Sequence, residues 1–267
     1  MRLAFSTLGL PGRPLAEVLR LAASHGWAGL ELRCAPGEPV HPEMTAAERS
    51  AAARALWRAG VTPLALAGYA AVAAPGEDAR PVAELRGQLR LAADLGARHL
   101  RVFPRGGDAP AVGADRRAAR RLAAVADEAE SLGVRILLET HDSHRAGRDV
   151  ARVLELVDHP AVGALWDVLH TWLAGESPAV SHAALAPSLG YVQVKDVAGP
   201  DDLTPLPLGA GVLPLAECLG LLPPECWVSW EYEAPWFPSA APLDGLLGSG
   251  AALLARLADR RADGPAV

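Results

Sequence analysis

Cysteine is scarce and unpatterned in this chain: Cys34, Cys218 and Cys226 are the only three in 267 residues, and no pair has the CxxC spacing. Neither a disulfide framework nor a cysteine metal site is therefore signalled, and a reducing, cytoplasmic compartment is expected. No apolar run approaches the roughly 18 residues of a membrane-spanning helix, so no membrane partner is expected. The opening stretch MRLAFSTLGLPGRP breaks at Pro11 and Gly12, too early for a signal-peptide core. Basic residues are in deficit, 25 Lys and Arg against 31 Asp and Glu, which argues against nucleic acid because phosphate backbones are held by clustered cations. The one basic cluster, Arg116, Arg117, Arg120 and Arg121, has the Ala and Leu spacing of a solvated helix face. A linker rich in Ser and Gly is also lacking, so residues 1–267 read as one domain, with 261–267 a polar, flexible tail.

What the chain does have is rhythm. Short β-like runs at 3–8, 29–34, 62–67, 99–103, 134–140, 162–168, 191–196 and 227–232 alternate with stretches of helical spacing at 15–24, 45–58, 82–95, 114–132, 149–157, 179–186, 213–221 and 242–260. Gly26, Gly60, Gly96 and Gly133 each follow a helical run and precede a strand, where a left-handed stop is favoured. Eight β-then-α units in about 250 residues is the size of a closed parallel barrel, an α/β fold. The first strand is not followed by the GxGxxG turn of a dinucleotide fold. Pro and Gly gather at 104–113 and 199–211, after the fourth and seventh strands, on the loops that carry function in a barrel.

Four polar residues end apolar runs: Glu139 in ILLETH, Asp167 in ALWDVLH, Gln193 in YVQVKD and Glu231 in WVSWEYE. Three carboxylates brought together at low dielectric repel one another unless a counter-ion intervenes, and a divalent metal resolves that conflict. With the Gln193 amide oxygen they form an all-oxygen set suited to one Mn2+ or Mg2+ ion, Co2+ and Zn2+ being also admitted. The bland alternative is structural pairing of the acids with Lys195, Arg101 or Arg135.

These segments, with SHGWAGLELR and LGARHLRVFP, give nearly the whole chain a resemblance to the sugar phosphate isomerase/epimerase family with a xylose isomerase-like (β/α)8 TIM barrel. That group includes ketose 3-epimerases, inosose dehydratases, 3-dehydroshikimate dehydratases and endonuclease IV. The resemblance implies one divalent metal held by a Glu of strand five, an Asp of strand six, a His of strand seven and a Glu of strand eight. Glu139, Asp167 and Glu231 fall on three of these positions. Gln193 departs from the fourth, in a segment usually read HVKD, and nudges the reading toward lyases. His170 matches a DxxH pattern and turns back toward the pocket. The resemblance also allows a homodimer.

Around this set, His141, two residues beyond Glu139, shares its side if the strand continues. Lys195 either faces the mouth to stabilise an anionic oxygen or pairs with a neighbouring acid. Arg101 and Arg105 are candidates to grip a substrate carboxylate or phosphate. Glu31 is read as structural, paired with Arg33 or supporting a ligand. Trp172, with Trp166, Trp230 and Trp236, is read either as an aromatic wall for a sugar ring or as barrel core. His25, His41, His99, His144, His159 and His182 show no metal spacing of their own.

The chemistry that follows is proton transfer beside a carbonyl, through an enediolate, on a small sugar or polyhydroxy carbonyl substrate, with Glu139 and Glu231 as the acid/base pair and His170 and Lys195 assisting. Isomerisation or epimerisation is the first reading and dehydration the second. An endonuclease IV-like nuclease and a noncatalytic barrel stand behind both.

Overall fold

The computed structural model describes residues 1–108 and 111–262, with side chains through Asp259. The part of the expected tail at 263–267 lies outside the described residues, and positions 261 and 262 still belong to the last helix. Eight parallel strands close into a barrel in sequence order: β1 (Arg2–Ser6), β2 (Gly29–Arg33), β3 (Thr62–Ala71), β4 (His99–Phe103), β5 (Arg135–Glu139), β6 (Val162–Asp167), β7 (Leu189–Val194) and β8 (Trp227–Trp230). β8 pairs with β1 through Leu3 opposite Val228 and Phe5 opposite Trp230, and this contact closes the ring. Among the described residues no helix is long and apolar enough to cross a membrane.

Strand alternation sorts the side chains into two cores. Ala4, Ala65, Leu137, Leu165, Tyr191 and Trp227 meet inside the barrel, while residues such as Leu30, Ile136, Trp166, Val192 and Val228 face the helical layer. Space inside is tight: a Cβ on Gly190 would lie 2.4 Å from the Leu137 side chain. Two residues further along β5, β6 and β7 the same inward face carries Glu139, Asp167 and Gln193, so the functional layer sits directly on the apolar plug at the carboxyl end.

The helical layer consists of α1 (Leu15–Ser24), α2 (Ala46–Ala59), α3 (Ala79–Leu95), α4 (Ala111–Ser131), α5 (Gly147–Val157), α6 (Val168–Leu173), α7 (Pro178–Leu185), α8 (Leu215–Gly220) and α9 (Leu247–Ala262). All four expected stop glycines are left-handed, with φ of 74°, 67°, 75° and 66°. Three departures matter. β3 runs on to Ala71, with a register break against β4, and so carries Tyr69 to the mouth. α6 follows β6 without a loop because the Asp167 side chain caps it, accepting from Leu169 N at 2.8 Å. The expected final helix is split into a 3-10 turn, Leu243–Gly245, and α9.

One expectation is corrected here and one alternative is decided. The arginine cluster on α4 is not wholly a solvated face: Arg121 is buried and its guanidinium donates to the carbonyls of Val72 (3.1 Å), Ala74 (2.7 Å) and Gly76 (2.7 Å) and to Asp78 (2.8 Å). It ties down the loop between β3 and α3. Arg121→Leu is expected to cost roughly 3 kcal/mol, because three carbonyls lose their donor, which a urea unfolding midpoint will read. Trp166 and Trp230 do not line the mouth. Inward Leu165 and Asp167 force Trp166 outward, where its indole N–H donates to Thr171 Oγ1 at 2.9 Å. Trp230 packs against Trp27 (6.2 Å between ring centroids) and over Gly250, where a Cβ would come within 2.3 Å of its ring.

Deep in the barrel, His99 lies against the Tyr191 ring at 5.7 Å, and burial together with Arg135 and Arg98 lowers its pKa from 6.5 to about 4. Between these values the unfolded chain takes up a proton that the folded chain refuses, so stability falls as pH drops through that window, by up to about 1.4 kcal/mol per pH unit. His99→Phe is expected to flatten that slope in urea midpoints compared at pH 4.5 and 7.

Candidate active site

The ends of β5 to β8 deliver four polar side chains into one buried group. Glu139, Asp167 and Glu231 present carboxylate oxygens that all lie within 4.8 Å of one another. All three are buried, as is Gln193. Asp167 is fixed by its cap: one oxygen accepts from Leu169 N, which turns the other toward the group.

Two cations share this space. Lys195, the only lysine in the chain, is buried, with Nζ 2.8 Å from Asp167 Oδ2 and 2.5 Å from both Glu231 Oε2 and Glu233 Oε1. Arg101 is also buried, its Nη1 3.2 Å from Glu139 Oε2 and its guanidinium over the Phe103 ring at 4.0 Å. Arg135, the third cation considered as a partner, is not in this group. It donates at the opposite end of the barrel to the carbonyls of Pro160, Ser188 and Leu189.

The orientation of Gln193 follows from its neighbours. Its Nε2 donates to both oxygens of Glu31 (2.9 Å each) and to Glu231 Oε1 (3.2 Å). Ionised carboxylates only accept, so the amide nitrogen must face them and the oxygen must face away. That oxygen is buried and has no hydrogen-bond partner, and the same is true of Glu139 Oε2 and Asp167 Oδ2, whose cations stand close but off the bonding direction. Glu31, meanwhile, accepts from Tyr191 Oη at 2.6 Å. It supports Gln193 and does not pair with Arg33, which bonds Glu38 (2.8 Å) and Tyr69 Oη (3.0 Å).

Five carboxylates (Glu31, Glu139, Asp167, Glu231 and Glu233) face two side-chain cations, and the imbalance is visible in their acidities. Burial, opposed by Arg101 and reinforced by Glu231 and Asp167, pushes Glu139 well above the usual carboxylate range. Burial also raises Asp167, against Lys195, and raises Glu31, with Glu231 adding to the effect. Glu231 goes the other way: burial would raise it, but Lys195 and Arg101 hold it at about 2. An oxygen-only donor set, a buried Gln193 oxygen with no partner and a surplus of negative charge together fit a hard divalent cation.

The two histidines stand on the mouth side. His170, in the first turn of α6, has Nε2 3.9 Å from Asp167 Oδ2 and without a hydrogen-bond partner. Burial, with the nearby His141 and Lys195, holds its pKa well below 6.5, so it is neutral at pH 7. His141 is held by Asp142 through Nδ1 at 3.1 Å. With Glu139 the two histidines form a second close group, but their rings are 4.0 Å apart between centroids. Two imidazoles sharing one ion at about 2.0–2.1 Å would hold their centroids about 5 Å apart, so this geometry suits a pocket wall. Exposed Asp127 and Glu130 form another such group with half-buried His159. There His159 Nδ1 accepts from Ala161 N, which leaves the proton on Nε2 and no lone pair for a metal.

Of the remaining candidates, Arg105 is exposed at the rim with φ 52°. Trp172 packs against the core between barrel and helices and makes no described contact with the polar group. Exposed Trp236 reaches the mouth through Arg33, whose guanidinium lies 5.4 Å from its ring centroid. Sequence reasoning missed Glu233, Tyr69 and Asp142. Glu233 was accessible to it, since strand alternation beyond Glu231 puts both residues on one side.

The chain matches the xylose isomerase-like TIM barrel model over residues 19–257, and it belongs to that family. Among solved structures it is similar to L-ribulose 3-epimerase (TM-score 0.83, 16% identity, 98% of this chain and 96% of that one). It is also similar to the IOLI protein with a binding zinc atom (0.81, 17%, 98% and 99%). A third is the probable 3-DHS dehydratase AsbF from Bacillus anthracis (0.80, 16%, 96% and 99%). At such identities the likeness is one of fold. No curated protein matches the chain in sequence.

Proposed function

We propose that this barrel is a divalent-metal-dependent isomerase or epimerase of a small sugar-like substrate, working by proton transfer beside a carbonyl. The observation that carries the reading is the buried group in which Glu139, Asp167 and Glu231 converge while the Gln193 oxygen is left without a partner. Those four residues would hold the ion. When bound, a divalent cation polarises a carbonyl and the adjacent hydroxyl and offsets the charge that develops on them.

The chain's own residues handle the protons. Glu231, kept ionised by Lys195 and Arg101, removes the proton from carbon. Glu139, the second carboxylate of the pair, returns one to the other face. Lys195 stabilises the oxygen that turns anionic between the two steps, and neutral His170, with a free ring nitrogen, hydrogen-bonds a substrate hydroxyl. Burial of the whole group keeps bulk water away from the reacting carbon during the transfer, and the carboxyl groups exchange with solvent between turnovers. An epimerase and a zinc-holding protein of the same fold support the reading.

Dehydration is the second reading. It is favoured by the Lys195 ammonium, which offers a proton to a departing β-hydroxyl, and a dehydratase shares the fold. Incubation with ketoses, inososes and 3-dehydroshikimate in deuterium oxide with Mn2+ tests both. Deuterium uptake into carbon is expected, and the product distinguishes isomer from dehydrated acid or ketone. No uptake into any member with Mn2+, Mg2+, Co2+ or Zn2+ would sink the proposal.

A further inference from the structure

Beside the buried group lies a cavity of about 620 Å3 whose wall includes Arg105, His141, Asp142, Ser143 and Arg145. His141 belongs to both: it is a wall of the cavity and lies within 4.8 Å, atom to atom, of Glu139 and His170. The cavity is thus the outward continuation of the candidate active site.

Its two arginines are uncommitted. Among the described residues neither guanidinium is paired with a carboxylate. That of Arg105 lies over the Phe103 ring at 5.1 Å, and Arg145 donates only to the Asp142 backbone carbonyl at 3.3 Å. The nearest acid is spoken for. Asp142 accepts from Arg105 N (2.8 Å), Ser143 N (2.5 Å) and Ser143 Oγ (2.9 Å) and meets His141 Nδ1 (3.1 Å), which leaves little of its carboxylate for a cation. Asp108, also on the wall, pairs with neither arginine.

The backbone is strained to make this arrangement. Arg105 and Asp142 both have positive φ, 52° and 35°, although neither is glycine, and they are bonded to each other. Such conformations persist where the surroundings over-determine them, and they gather at ligand clamps. The surroundings here do so: Gly106 N donates to Ser143 Oγ at 2.7 Å, and Ser143 Oγ meets His144 Nδ1 at 2.9 Å. His144 Nε2 in turn meets Asp115 at 2.9 Å, and Asp115 is held by Arg152 at 3.0 Å. A chain of buried partners therefore fixes the Ser143 hydroxyl and the loop that presents Arg105.

We infer that this cavity receives the anionic end of the substrate, a carboxylate or phosphate gripped by Arg105 and Arg145, so that the substrate is an acidic polyhydroxy carbonyl compound and not a neutral sugar. The inference rests on the proposed function for the position of the reacting end. Guanidinium groups match the planar or tetrahedral oxygens of either anion with paired donors, and a charged tail held at the rim leaves the carbonyl end to the buried group.

Calorimetric titration tests it with three probes: D-fructose, D-fructose 6-phosphate and 3-dehydroshikimate, each up to 10 mM, on the protein with Mn2+. At least one anionic probe is expected to bind tenfold or more tightly than fructose, and which one does so separates phosphate from carboxylate. Arg105→Gln with Arg145→Gln is expected to erase that preference without lowering the unfolding temperature, since the bond from Arg105 N to Asp142 remains and only the exposed bond from Arg145 Nε to the Asp142 carbonyl is lost. Each single variant is expected to erase part of it, which keeps the test decisive should the double variant misfold. Equal affinity for all three probes, no binding of any of them, or a preference untouched in folded variants would overturn the inference. A Mn2+ titration of the same protein separates the two readings. Absence of Mn2+ binding with the anion preference intact counts against the metal-dependent function alone, whereas Mn2+ binding without the preference counts against the cavity alone.

Discussion

Glu139→Gln is expected to lower deuterium exchange into substrate by about 10³–10⁴-fold while leaving the protein folded. The substitution is nearly isosteric, so the inward layer at the end of β5 keeps its packing. What changes is charge and proton capacity. An amide cannot hold and return a proton, and it replaces one of three carboxylates with a neutral oxygen, so Mn2+ affinity falls as well. Stability responds differently. In the metal-free protein a carboxylate that burial drives toward protonation is removed, while Arg101 keeps the nearby charges of Glu31 and Glu231. The unfolding temperature of the metal-free variant is therefore expected to stay within a few degrees of the unsubstituted chain. Exchange above a tenth of the original rate would rule out Glu139 as an acid/base group, and unfolding would show its role to be structural.

Much of this site was legible before any coordinates, for an identifiable reason. A barrel strand is buried on both faces, so a carboxylate ending an apolar run has no cheap place to go, and Glu139, Asp167 and Glu231 announce themselves. The barrel itself is legible from spacing, because the positive-φ glycines mark each return to the sheet. Long-range pairing is a different matter. The direction of the Gln193 amide is set by Glu31, 162 residues earlier in the chain, and no local pattern carries it. The burial of Arg121 depends on the carbonyls of a loop more than forty residues away. Parity decides between the two readings of the tryptophans: Trp166 and Trp230 each precede an inward residue and so face the helices as core. Parity also shows Glu233 as a third partner for Lys195, and α6 was hidden because its cap residue is itself a site residue.

Lys195→Met carries the second large effect, and its sign depends on metal. The ammonium is the nearest counter-charge to Asp167, Glu231 and Glu233, and it is buried with the first two. Replacing it with an apolar chain of similar length leaves those carboxylates facing one another without that charge. Breaking a buried pair from one side costs about 3–5 kcal/mol, which is the loss of stability expected in the metal-free variant at neutral pH. A divalent ion now has more charge to offset, so the rise in unfolding temperature on adding Mn2+ should be larger than in the unsubstituted chain. Binding at a hundred times the dissociation constant contributes roughly 2.7 kcal/mol, enough to restore much of the loss. The opposite pattern, a stable metal-free variant with no added response to Mn2+, would mean that Lys195 and the cation do not act on the same oxygens, and the charge argument for the site would fail with it.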